Sequence, residues 1–473
     1  MKFILNERLI DTDLPAGTVA LDFIRKDMKL SGTKESCREG ECGVCSVLLG
    51  TFRDGVVEYR AVASCLLPLG ELDGKHLVTI EGLNLEGLSP VQDAIVEKGA
   101  TQCGFCTPGF VVSLTGFLIS SPDIDYESAI DALDGNICRC TGYVSIRDAA
   151  KAIVKLFKHR LSDRSKRVSE LVKFGALPPY FIEIPNRLKE IHTDTKPIVM
   201  HKDGAIIVAG GTDLYVQRPF ELETAELEFV SQRNVSDIHE KDGEIIVGAG
   251  VTVEDMKKSP IMKDYFPDIR QMLNRVSSTI MRNRATVGGN IVNASPIGGM
   301  SIFFLALDAL LVITNGKDKR TVPLREFFKG YKKIDMHQSE LIESVKFPVR
   351  QKFGFSFEKV SQRKYLDIAS CNSAMSVVCK NGVIDEIHIS AGGVAPVPLY
   401  LDNVSRFLEG REISADSVKE AWNIAREEIS PISDIRGSEG YKRLLLRQLV
   451  FAHFINLFPQ KIKFQELIEG GEI

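Results

Sequence analysis

The residues that stand out chemically are the cysteines, ten in all, of which eight fall between positions 37 and 140. They form two groups of four. The first group has the spacing C-x4-C-x2-C followed by one distant cysteine, and the second has C-x2-C followed further along by C-x-C. The members are Cys37, Cys42, Cys45 and Cys65 in the first group, and Cys103, Cys106, Cys138 and Cys140 in the second. Two complete sets of four thiols predict two metal sites with four thiolate ligands each.

The first spacing is typical of a plant-type centre of two irons and two sulfides. A loop around such a cluster must turn several backbone N–H groups toward the sulfurs, and Gly40 and Gly43 allow those turns. Disulfides and zinc are the alternatives. Disulfides require an oxidising compartment, and residues 1–8 turn polar too early for a signal peptide. Zinc usually takes paired C-x2-C motifs, so the first spacing argues against it, whereas the second group alone would also fit zinc.

The composition is that of an ordinary globular protein. The chain has 473 residues, 44% of them hydrophobic and 26% charged, with a formal net charge of −4. The length predicts about three domains, and the charge gives no reason to expect a nucleic-acid partner. No apolar run is long enough to span a membrane. Reduced thiols without an export signal predict a cytoplasmic location.

The elements around the first cysteine group predict a small mixed sheet wrapped on one helix. β-Branched and aromatic runs favour strands, and Asp54-Gly55 is a typical hairpin turn. The predicted order is a hairpin over 2–14, a helix over 19–28, strands over 44–49 and 56–62, and a closing strand over 77–80.

The second cysteine group lies among predicted helices. Ser89-Pro90 and Thr107-Pro108 each match an N-cap followed by a first-turn proline. The helix that starts at the second of these pairs is apolar on nearly all sides, which predicts burial. A third helix is predicted over 125–133, and Ser145 is expected to cap a fourth. Helix N-termini offer free N–H groups, which suit an anionic cluster.

Residues 159–176 are charged and have little apolar pattern, which predicts a solvated linker rather than a nucleic-acid patch. After it, a predicted strand over 205–209 runs into a glycine pair, Gly210-Gly211. Such a pair between a strand and a helix can cradle phosphate with backbone N–H groups, although many strands end this way. The dinucleotide fingerprint G-x-G-x-x-G is not matched, because the nearest stretch, 248–253, lacks the third glycine.

A second glycine-rich loop, 284–299, combines two glycine pairs with polar side chains. Its donors suit a ligand rich in phosphate and ribose oxygens, and ordinary turns are the alternative. Further predictions are strands over 309–314 and 342–347, a strand-rich region over 353–398 with Lys359 and Asp367 in its first loop, helices over 415–428 and 438–457, and Cys371 and Cys379 as buried structural residues.

Together these motifs resemble a known family. The chain is similar over nearly its full length to the small subunit of bacterial xanthine dehydrogenase, in the molybdenum hydroxylase family. The motifs that carry the resemblance are E-G-E-C-G-V-C at 39–45, Q-C-G-F-C-T-P-G at 102–109, G-N-I-C-R-C-T-G-Y at 135–143 and T-V-G-G-N-I at 286–291. The two cysteine motifs in this order make a [2Fe–2S] cluster the expected occupant of the second group as well.

The resemblance implies a multidomain α+β fold. The implied domains are a ferredoxin-like β-grasp domain with a [2Fe–2S] cluster over 1–80, a four-helix [2Fe–2S] domain over 81–158, the linker over 159–176, an FAD domain of the vanillyl-alcohol-oxidase type over 177–350, its α+β C-terminal companion over 351–458 and a tail over 459–473.

The resemblance also implies which residues contact FAD, with the pyrophosphate along 207–214. The implied cofactor-binding residues are Glu39, Gly40, Ile207, Val208, Ala209, Gly210, Gly211, Thr212, Asp213, Leu214, Val276, Thr286, Gly288, Gly289, Asn290, Asn293, Ser295, Ile342 and Lys359. Lys359 and Asp367 would lie near the flavin and NAD, and no side chain is assigned a catalytic role of its own. Two positions depart from the family: Val276 replaces an aromatic residue of the animal enzymes, and Gly299 replaces an acidic residue of many members.

The cofactors imply the function. In the family a molybdenum centre on a separate large subunit oxidises the substrate, and electrons pass through the second cysteine group, the first group and FAD to NAD. The implied assembly is a heterotetramer of two small and two large subunits, with neither nucleic acid nor membrane as a partner. The substrate would be a purine such as xanthine, with an aldehyde or another heterocycle as alternatives. Two rival functions are an NADH-dependent reductase for another partner and a non-catalytic metal-binding module.

Overall fold

A computed structural model describes residues 1–161, 163–191, 204–350 and 353–468. The contacts divide the chain into two compact units. Among the described residues, the first unit comprises those up to 191 together with 204–232 and 277–285, and the second comprises 233–276 and the residues from 286 onward. This division does not coincide with the domain boundary expected at residue 177, because 204–232 and 277–285 pack with the N-terminal part of the chain.

The regular elements are numbered in chain order. The strands are β1 (Lys2–Leu5), β2 (Arg8–Asp11), β3 (Ser46–Arg53), β4 (Val56–Ala63), β5 (His76–Val78), β6 (Ile206–Val208), β7 (Leu227–Phe229), β8 (Ile238–Lys241), β9 (Glu244–Gly248), β10 (Leu310–Thr314), β11 (Lys319–Pro323), β12 (Phe328–Gly330), β13 (Lys333–Ile334), β14 (Leu341–Pro348), β15 (Phe353–Val360), β16 (Cys371–Lys380), β17 (Val383–Gly392) and β18 (Leu399–Tyr400). The helices are α1 (Ala20–Asp22), α2 (Pro90–Glu97), α3 (Thr107–Ser120), α4 (Tyr126–Ala132), α5 (Val144–Phe157), α6 (Arg167–Lys173), α7 (Ile184–Ile191), α8 (Leu214–Gln217), α9 (Pro219–Thr224), α10 (Val253–Lys258), α11 (Pro260–Tyr265), α12 (Ile269–Asn274), α13 (Thr279–Arg282), α14 (Val287–Val292), α15 (Gly299–Leu305), α16 (Leu324–Phe327), α17 (Asp402–Leu408), α18 (Ala415–Glu428), α19 (Glu439–Leu457) and α20 (Phe464–Ile468).

The first unit is built on a five-stranded sheet with the order β2-β1-β5-β3-β4, in which β1 and β5 are parallel and the other pairs antiparallel. One face packs on α1 and the π-helical turn Phe23–Asp27 that continues it, with the rings of Phe3 and Phe23 5.8 Å apart. The other face packs on α3, where a Cβ added to Gly116 would lie 2.9 Å from Leu48 Cδ2. The sheet wrapped on one helix, predicted from the first eighty residues, is therefore confirmed, and α3 covers its second face.

The second cysteine group lies in the segments that precede α3 and α5, and α3 is buried along most of its length as predicted. Ser89 caps α2 through a reciprocal bond with Gln92. The two other predicted caps are wrong. Thr107 is already helical and its hydroxyl bonds to Thr101 at 2.7 Å. Tyr143, with φ of +69°, precedes α5, so Ser145 lies inside the first turn.

The predicted solvated linker over 159–176 is wrong. Residues 164–166 form a 3-10 turn that leads into α6, and Leu171 of that helix is fully buried. Arg167 is buried too, because its guanidinium donates to the carbonyls of Leu161, at 2.7 Å, and of Ser121. A buried arginine whose two terminal nitrogens donate to carbonyls looks like a surface residue in sequence, since composition does not report its partners.

Three segments from the middle of the chain complete the first unit: the parallel pair β6–β7, the short helices α8 and α9, and α13. A Cβ added to Gly70 would lie 2.3 Å from the Phe229 ring, which shows how closely β7 approaches the N-terminal part. Tyr215 donates to the Gly17 carbonyl at 3.2 Å, and Asn283 donates to the Ala61 carbonyl at 2.9 Å.

The second unit contains two antiparallel sheets, ordered β11-β10-β14-β9-β8 and β15-β16-β17-β18, and the small β12–β13 pair. Helices α17 to α20 contribute to a core with the second sheet. The predicted strand-rich region and the two long helices after it are confirmed. Lys359 is a correction, because it lies within β15 rather than in the following loop. None of the helices in the described ranges combines the length and the apolar character that crossing a bilayer requires.

Candidate metal centres and cofactor-binding turns

The first cysteine group lies on a tightly coiled loop that precedes β3. Arg38, Gly40 and Gly43 have φ of +58°, +74° and +68°, so the backbone turns in the left-handed region three times within six residues. The Glu39 N–H points inward and donates to Cys37 Sγ at 3.4 Å. A side chain does not fit at residue 40, because an added Cβ would lie 2.3 Å from Met281 Sδ. The loop therefore encloses its thiols with backbone, as the sequence predicted.

The four thiols of this group form two pairs. Cys37 and Cys42 hydrogen-bond to each other, which lowers the pKa of Cys37 to about 5 and raises that of Cys42. Cys45 and Cys65 form the second pair, and their hydrogen bond lowers the pKa of Cys45 and raises that of Cys65. In each pair the hydrogen bond therefore favours the thiolate form of one cysteine and the thiol form of the other. Both members of the second pair are buried, whereas the first pair is partly exposed.

The second cysteine group is paired in the same manner. Cys140 and Cys103 are exposed, with their sulfurs 3.6 Å apart. Cys106 and Cys138 form the inner pair, and burial together with the bond to Cys138 raises the pKa of Cys106 to about 12. Burial would raise the pKa of Cys138, but the Thr141 hydroxyl, 3.2 Å from its sulfur, helps to lower it.

The two groups touch each other through the backbone at Gly43. The Ile137 N–H donates to the Cys42 carbonyl at 3.0 Å, and the Asn136 side-chain amide donates to the Gly43 carbonyl at 3.1 Å. A Cβ added to Gly43 would lie 2.4 Å from the Gly135 carbonyl oxygen, and one added to Gly109 would lie 2.3 Å from the Gly43 carbonyl oxygen. The loops of the two groups are therefore separated by one layer of backbone.

The paired arrangement matches a two-iron cluster. A [2Fe–2S] cluster bound by four cysteines needs two thiolates at each iron. A single tetrahedral zinc ion instead needs its four ligands around one point. All ten cysteines are free thiols in the structure, so none of them forms a disulfide bond there. Cys371 is fully buried as expected, while Cys379 is only partly buried.

The implied pyrophosphate turn, 207–214, belongs to the first unit. It leaves β6, passes Ala209 and the glycine pair, and enters α8 after Thr212 and Asp213. Gly211 has φ of +74°, which favours glycine there. An added Cβ on Gly211 would lie 3.5 Å from the Leu66 carbonyl oxygen, next to Cys65, and one on Gly40 would lie 2.8 Å from Leu66 Cδ1. Leu66 therefore links this turn to the loop that carries Glu39 and Gly40.

The other implied FAD residues belong to the second unit, and the predicted loop over 284–299 contains one short helix there, α14. Thr286 caps α14, with its hydroxyl accepting from the Gly289 N–H at 3.0 Å. Gly288 fits against Ala249, and Asn290 Oδ1 accepts from the Met300 N–H at 3.0 Å. The remaining positions are Asn293, whose Oδ1 accepts from Lys332 Nζ at 2.8 Å, Ser295, whose hydroxyl accepts from Ile297, and Ile342, which is buried in β14.

Four of the singled-out positions lie together in the second unit. Lys359 Nζ donates to the carbonyl of Arg275, at 2.7 Å, and to the carbonyl of Asp367. Val276 follows Arg275 in sequence. A Cβ added to Gly299 would lie 3.1 Å from Val276 Cγ2, so the two positions that depart from the family are neighbours.

Sequence reasoning gave no role to several residues that build these sites. Asn136 binds the Gly43 carbonyl, Tyr143 OH accepts from the Cys138 N–H at 3.0 Å, and Met281 closes over Gly40. Asn136 and Tyr143 stand within the cysteine motif that was recognised, which was the available signal. Nothing in the local sequence connects Met281 to Gly40, because they are far apart in the chain.

Three family models match successive parts of the chain. The "[2Fe-2S] binding domain" model matches residues 79–151. The "FAD binding domain in molybdopterin dehydrogenase" model matches 181–350, and the "CO dehydrogenase flavoprotein C-terminal domain" model matches 356–457.

Similar proteins agree with these matches. Xanthine dehydrogenase of Dictyostelium discoideum is 29% identical over 97% of this chain, and xanthine dehydrogenase 1 of Arabidopsis thaliana is 27% identical over 96%. Aldehyde oxidase 1 of Rattus norvegicus is 25% identical over 96%. The chain spans 40%, 39% and 39% of the length of these relatives, respectively.

Solved structures show the same fold over part of the chain. A carbon monoxide dehydrogenase from Hydrogenophaga pseudoflava matches with a TM-score of 0.52 and 23% identity, covering 55% of this chain and 92% of the matched chain. Quinoline 2-oxidoreductase from Pseudomonas putida 86 matches with a TM-score of 0.50 and 25% identity, covering 55% and 91%.

Domains that bind [2Fe–2S] clusters and FAD, in this order, define an iron–sulfur flavoprotein of the oxidoreductase class. The chain belongs to the molybdenum hydroxylase family, as the iron–sulfur and FAD component that carries electrons.

Proposed function

We propose that this chain is the electron-transfer subunit of a xanthine dehydrogenase-type enzyme and holds two [2Fe–2S] clusters and one FAD. The observation that carries the proposal is the pairing of all eight motif cysteines into two sets of two sulfur pairs. Each pair supplies the two thiolates that one iron of a two-iron cluster requires. We assign Cys37, Cys42, Cys45 and Cys65 to one cluster, and Cys103, Cys106, Cys138 and Cys140 to the other.

The chain's own groups fit these cofactors. Backbone N–H groups of the first loop face Cys37 and lower the pKa of its thiol, as they would stabilise a bound thiolate. The Thr141 hydroxyl likewise lowers the pKa of the Cys138 thiol. When bound, the clusters exchange single electrons and FAD exchanges one or two. The Gly210-Gly211 turn and the first residues of α14, the helix that Thr286 caps, would supply backbone donors to FAD.

The exposure of the cysteines supports a direction of transfer. Cys103 and Cys140 are exposed, whereas Cys45 and Cys65 are buried and adjoin the Gly210-Gly211 turn through Leu66. We propose that electrons enter at the second group from a molybdenum-containing large subunit, pass to the first group and leave through FAD to NAD. The assembly would be a cytoplasmic heterotetramer of two small and two large subunits.

The substrate would be a purine such as xanthine. Both xanthine dehydrogenases and an aldehyde oxidase are among the similar proteins, so an aldehyde or another heterocycle is the second candidate. An NADH-dependent reductase for another partner would use the same cofactors in the opposite direction.

We further propose the β-grasp description for residues 1–80, the four-helix cluster domain for 81–158, the vanillyl-alcohol-oxidase-type domain for 177–350 and its companion for 351–458.

Metal content tests the cluster assignment. Purified anaerobically, the chain should contain about four irons and about four acid-labile sulfides, because eight thiolates bind two two-iron clusters. Cys138→Ser should remove the electron paramagnetic resonance signal of one cluster and leave the other, since each cluster has its own four ligands. The matched control is Cys371→Ser, which should leave both signals. Stoichiometric zinc without labile sulfide would end the iron–sulfur assignment.

A surface next to the second group is proposed to contact the large subunit. Phe105 and Val144, which are close in sequence to the exposed Cys103 and Cys140, expose 46% and 64% of their surface, and exposed apolar residues favour a protein contact. Cross-linking from Gln102 should therefore capture the large subunit, whereas a cross-linker at Asp242, on the β8–β9 turn, should not. Finding residues 101–109 on a free surface of the purified complex would contradict this assignment.

A further inference from the structure

A buried ion pair lies beside the Gly210-Gly211 turn, within the first unit. Glu71 is on the 3-10 turn Leu69–Leu72, and its side chain is fully buried. Its Oε2 accepts from Arg284 Nη1 at 3.1 Å and from Lys75 Nζ at 3.2 Å, and its Oε1 accepts from Ser231 Oγ at 2.9 Å. Burial alone would raise the pKa of Glu71, but the two cations and the hydroxyl hold that pKa to about 2. The carboxylate is therefore charged at neutral pH.

Arg284 also holds Gly210 at two points. Its Nη2 donates to the Gly210 carbonyl at 2.8 Å. Its own carbonyl oxygen is so close to Gly210 that an added Cβ would lie only 2.0 Å away. The position of Gly210 is thus set by both the side chain and the backbone of one residue, and that side chain is in turn held by Glu71.

This contact sets the direction of an N–H group in the turn. The Gly210 carbonyl and the Gly211 N–H belong to one peptide, and the chain has no cis peptide bond among its described residues. In a trans peptide the C=O and the N–H point in opposite directions. Because the Gly210 carbonyl points at Arg284, the Gly211 N–H points away from it.

We propose that Glu71 and Arg284 are positioning residues that orient the Gly211 N–H toward the pyrophosphate of FAD. The inference rests on the proposed function, in which the 207–214 turn binds FAD. It makes flavin affinity depend on Glu71, which lies in the segment that carries the first cysteine group, more than a hundred residues before the turn. Removing the guanidinium would free the peptide to rotate and, among the described residues, would leave Lys75 as the remaining cation bonded to the buried Glu71 carboxylate.

The test is the dissociation constant for FAD, measured by titrating FAD into the flavin-depleted full-length chain and following flavin fluorescence. Arg284→Met should raise the dissociation constant about tenfold or more, which corresponds to about 1.4 kcal/mol. Glu71→Gln, which keeps the side-chain volume, should raise it in the same direction by a smaller factor. In the Arg284→Met background, Glu71→Gln should cause no further loss of FAD affinity, because Glu71 acts through Arg284. The resonance signals of both clusters should persist in every variant.

The matched control is Asp134→Asn. Arg282 lies two residues from Arg284 and forms a buried ion pair with Asp134 at 2.8 Å, whereas the guanidinium that donates to the Gly210 carbonyl is that of Arg284. Asp134→Asn should therefore leave the FAD dissociation constant unchanged within about twofold, or about 0.4 kcal/mol. If the Arg284→Met variant does not accumulate as folded protein, the Glu71→Gln variant provides the test. A Glu71→Gln variant that keeps intact clusters and binds FAD with wild-type affinity would overturn the inference. An equal loss of affinity in Asp134→Asn also overturns it. A wild-type chain that binds no FAD would overturn the proposed function itself, and this inference with it.

Discussion

At the scale of single residues, Gly43 occupies a position that favours glycine for two separate reasons. It has φ of +68°, and the space for a Cβ is taken by the Gly135 carbonyl and the Asn136 side chain. Its own carbonyl accepts from Asn136 and from Ser46. One glycine therefore shapes the first cysteine loop and holds it against the second.

We expect Gly43→Ala to weaken both cluster signals. The added methyl group meets a carbonyl oxygen at 2.4 Å, so the two cysteine loops must move apart. Iron content and the resonance signals of both clusters measure the effect. Gly55→Ala is the matched control, because Gly55 has φ of +82° but no atom within 4 Å of an added Cβ. It should cost about 1 kcal/mol of stability from its conformation alone and leave both signals. Intact clusters in Gly43→Ala would refute the proposed role of this contact.

The sequence predicted the two cysteine groups because most of their members stand in short motifs of typical spacing, C-x4-C-x2-C in the first group and C-x2-C and C-x-C in the second. It did not predict which cysteines pair, since pairing depends on how the loop coils around Arg38, Gly40 and Gly43. It also gave no sign of the Glu71–Arg284 ion pair, whose members are 213 positions apart. Short-range spacing is visible in one sequence, whereas a contact between distant positions requires the fold.

At the scale of secondary-structure elements, α19 is joined to β15 and β16 by a buried histidine. His453 is fully buried, with Nδ1 2.8 Å from Ser356 Oγ and Nε2 3.0 Å from Ser373 Oγ. Burial, reinforced by the charge of Arg275, lowers the pKa of His453 to about 3. The imidazole is therefore neutral in the folded second unit at neutral pH.

We expect this histidine to make the second unit sensitive to acid. Below the unfolded pKa of 6.5, the unfolded chain binds a proton that the folded unit excludes, so stability falls as pH falls toward 3. One such group contributes a slope of about 1.4 kcal/mol per pH unit. The single tryptophan, Trp422, packs against the core of this unit and reports its unfolding in urea.

His453→Gln should be less stable at pH 7 and should show a smaller loss of stability between pH 6.5 and 4. The matched control is His239→Gln, because His239 is on the surface of the same unit. It should keep the wild-type dependence on pH. An unchanged slope in His453→Gln would contradict the account.

Most elements were predictable because their apolar periodicity and turn residues agree with their final structure. The hairpin of β1 and β2, the buried α3 and the long α19 are examples. The failures occur where a side chain takes a hydrogen-bond partner that the sequence pattern did not assign to it. Thr107 bonds to Thr101 instead of capping, Arg167 finds carbonyl partners in the core, and the glycine-rich stretch after Thr286 forms α14 because Thr286 caps it.

At the scale of the whole molecule, the implied FAD residues are distributed over both compact units, and all eight motif cysteines lie in the first. The relatives are more than twice as long as the matched region. The proposed function assigns the centre that reacts with the organic substrate to a separate large subunit. The chain itself is proposed to connect a flavin that reacts with NAD to two iron–sulfur clusters.

The most direct test adds NADH to the purified chain, free of oxygen and of any partner, and records the visible absorbance of the flavin and the clusters. The account predicts that NADH bleaches both, because the flavin accepts two electrons and passes them on singly. The same sample should show NADH oxidation with an artificial dye and no oxidation of xanthine. Gly289→Leu should abolish the dye activity and leave the cluster signals. Flavin that is reduced while the clusters stay oxidised, or oxidation of xanthine by the chain alone, would contradict the central claim.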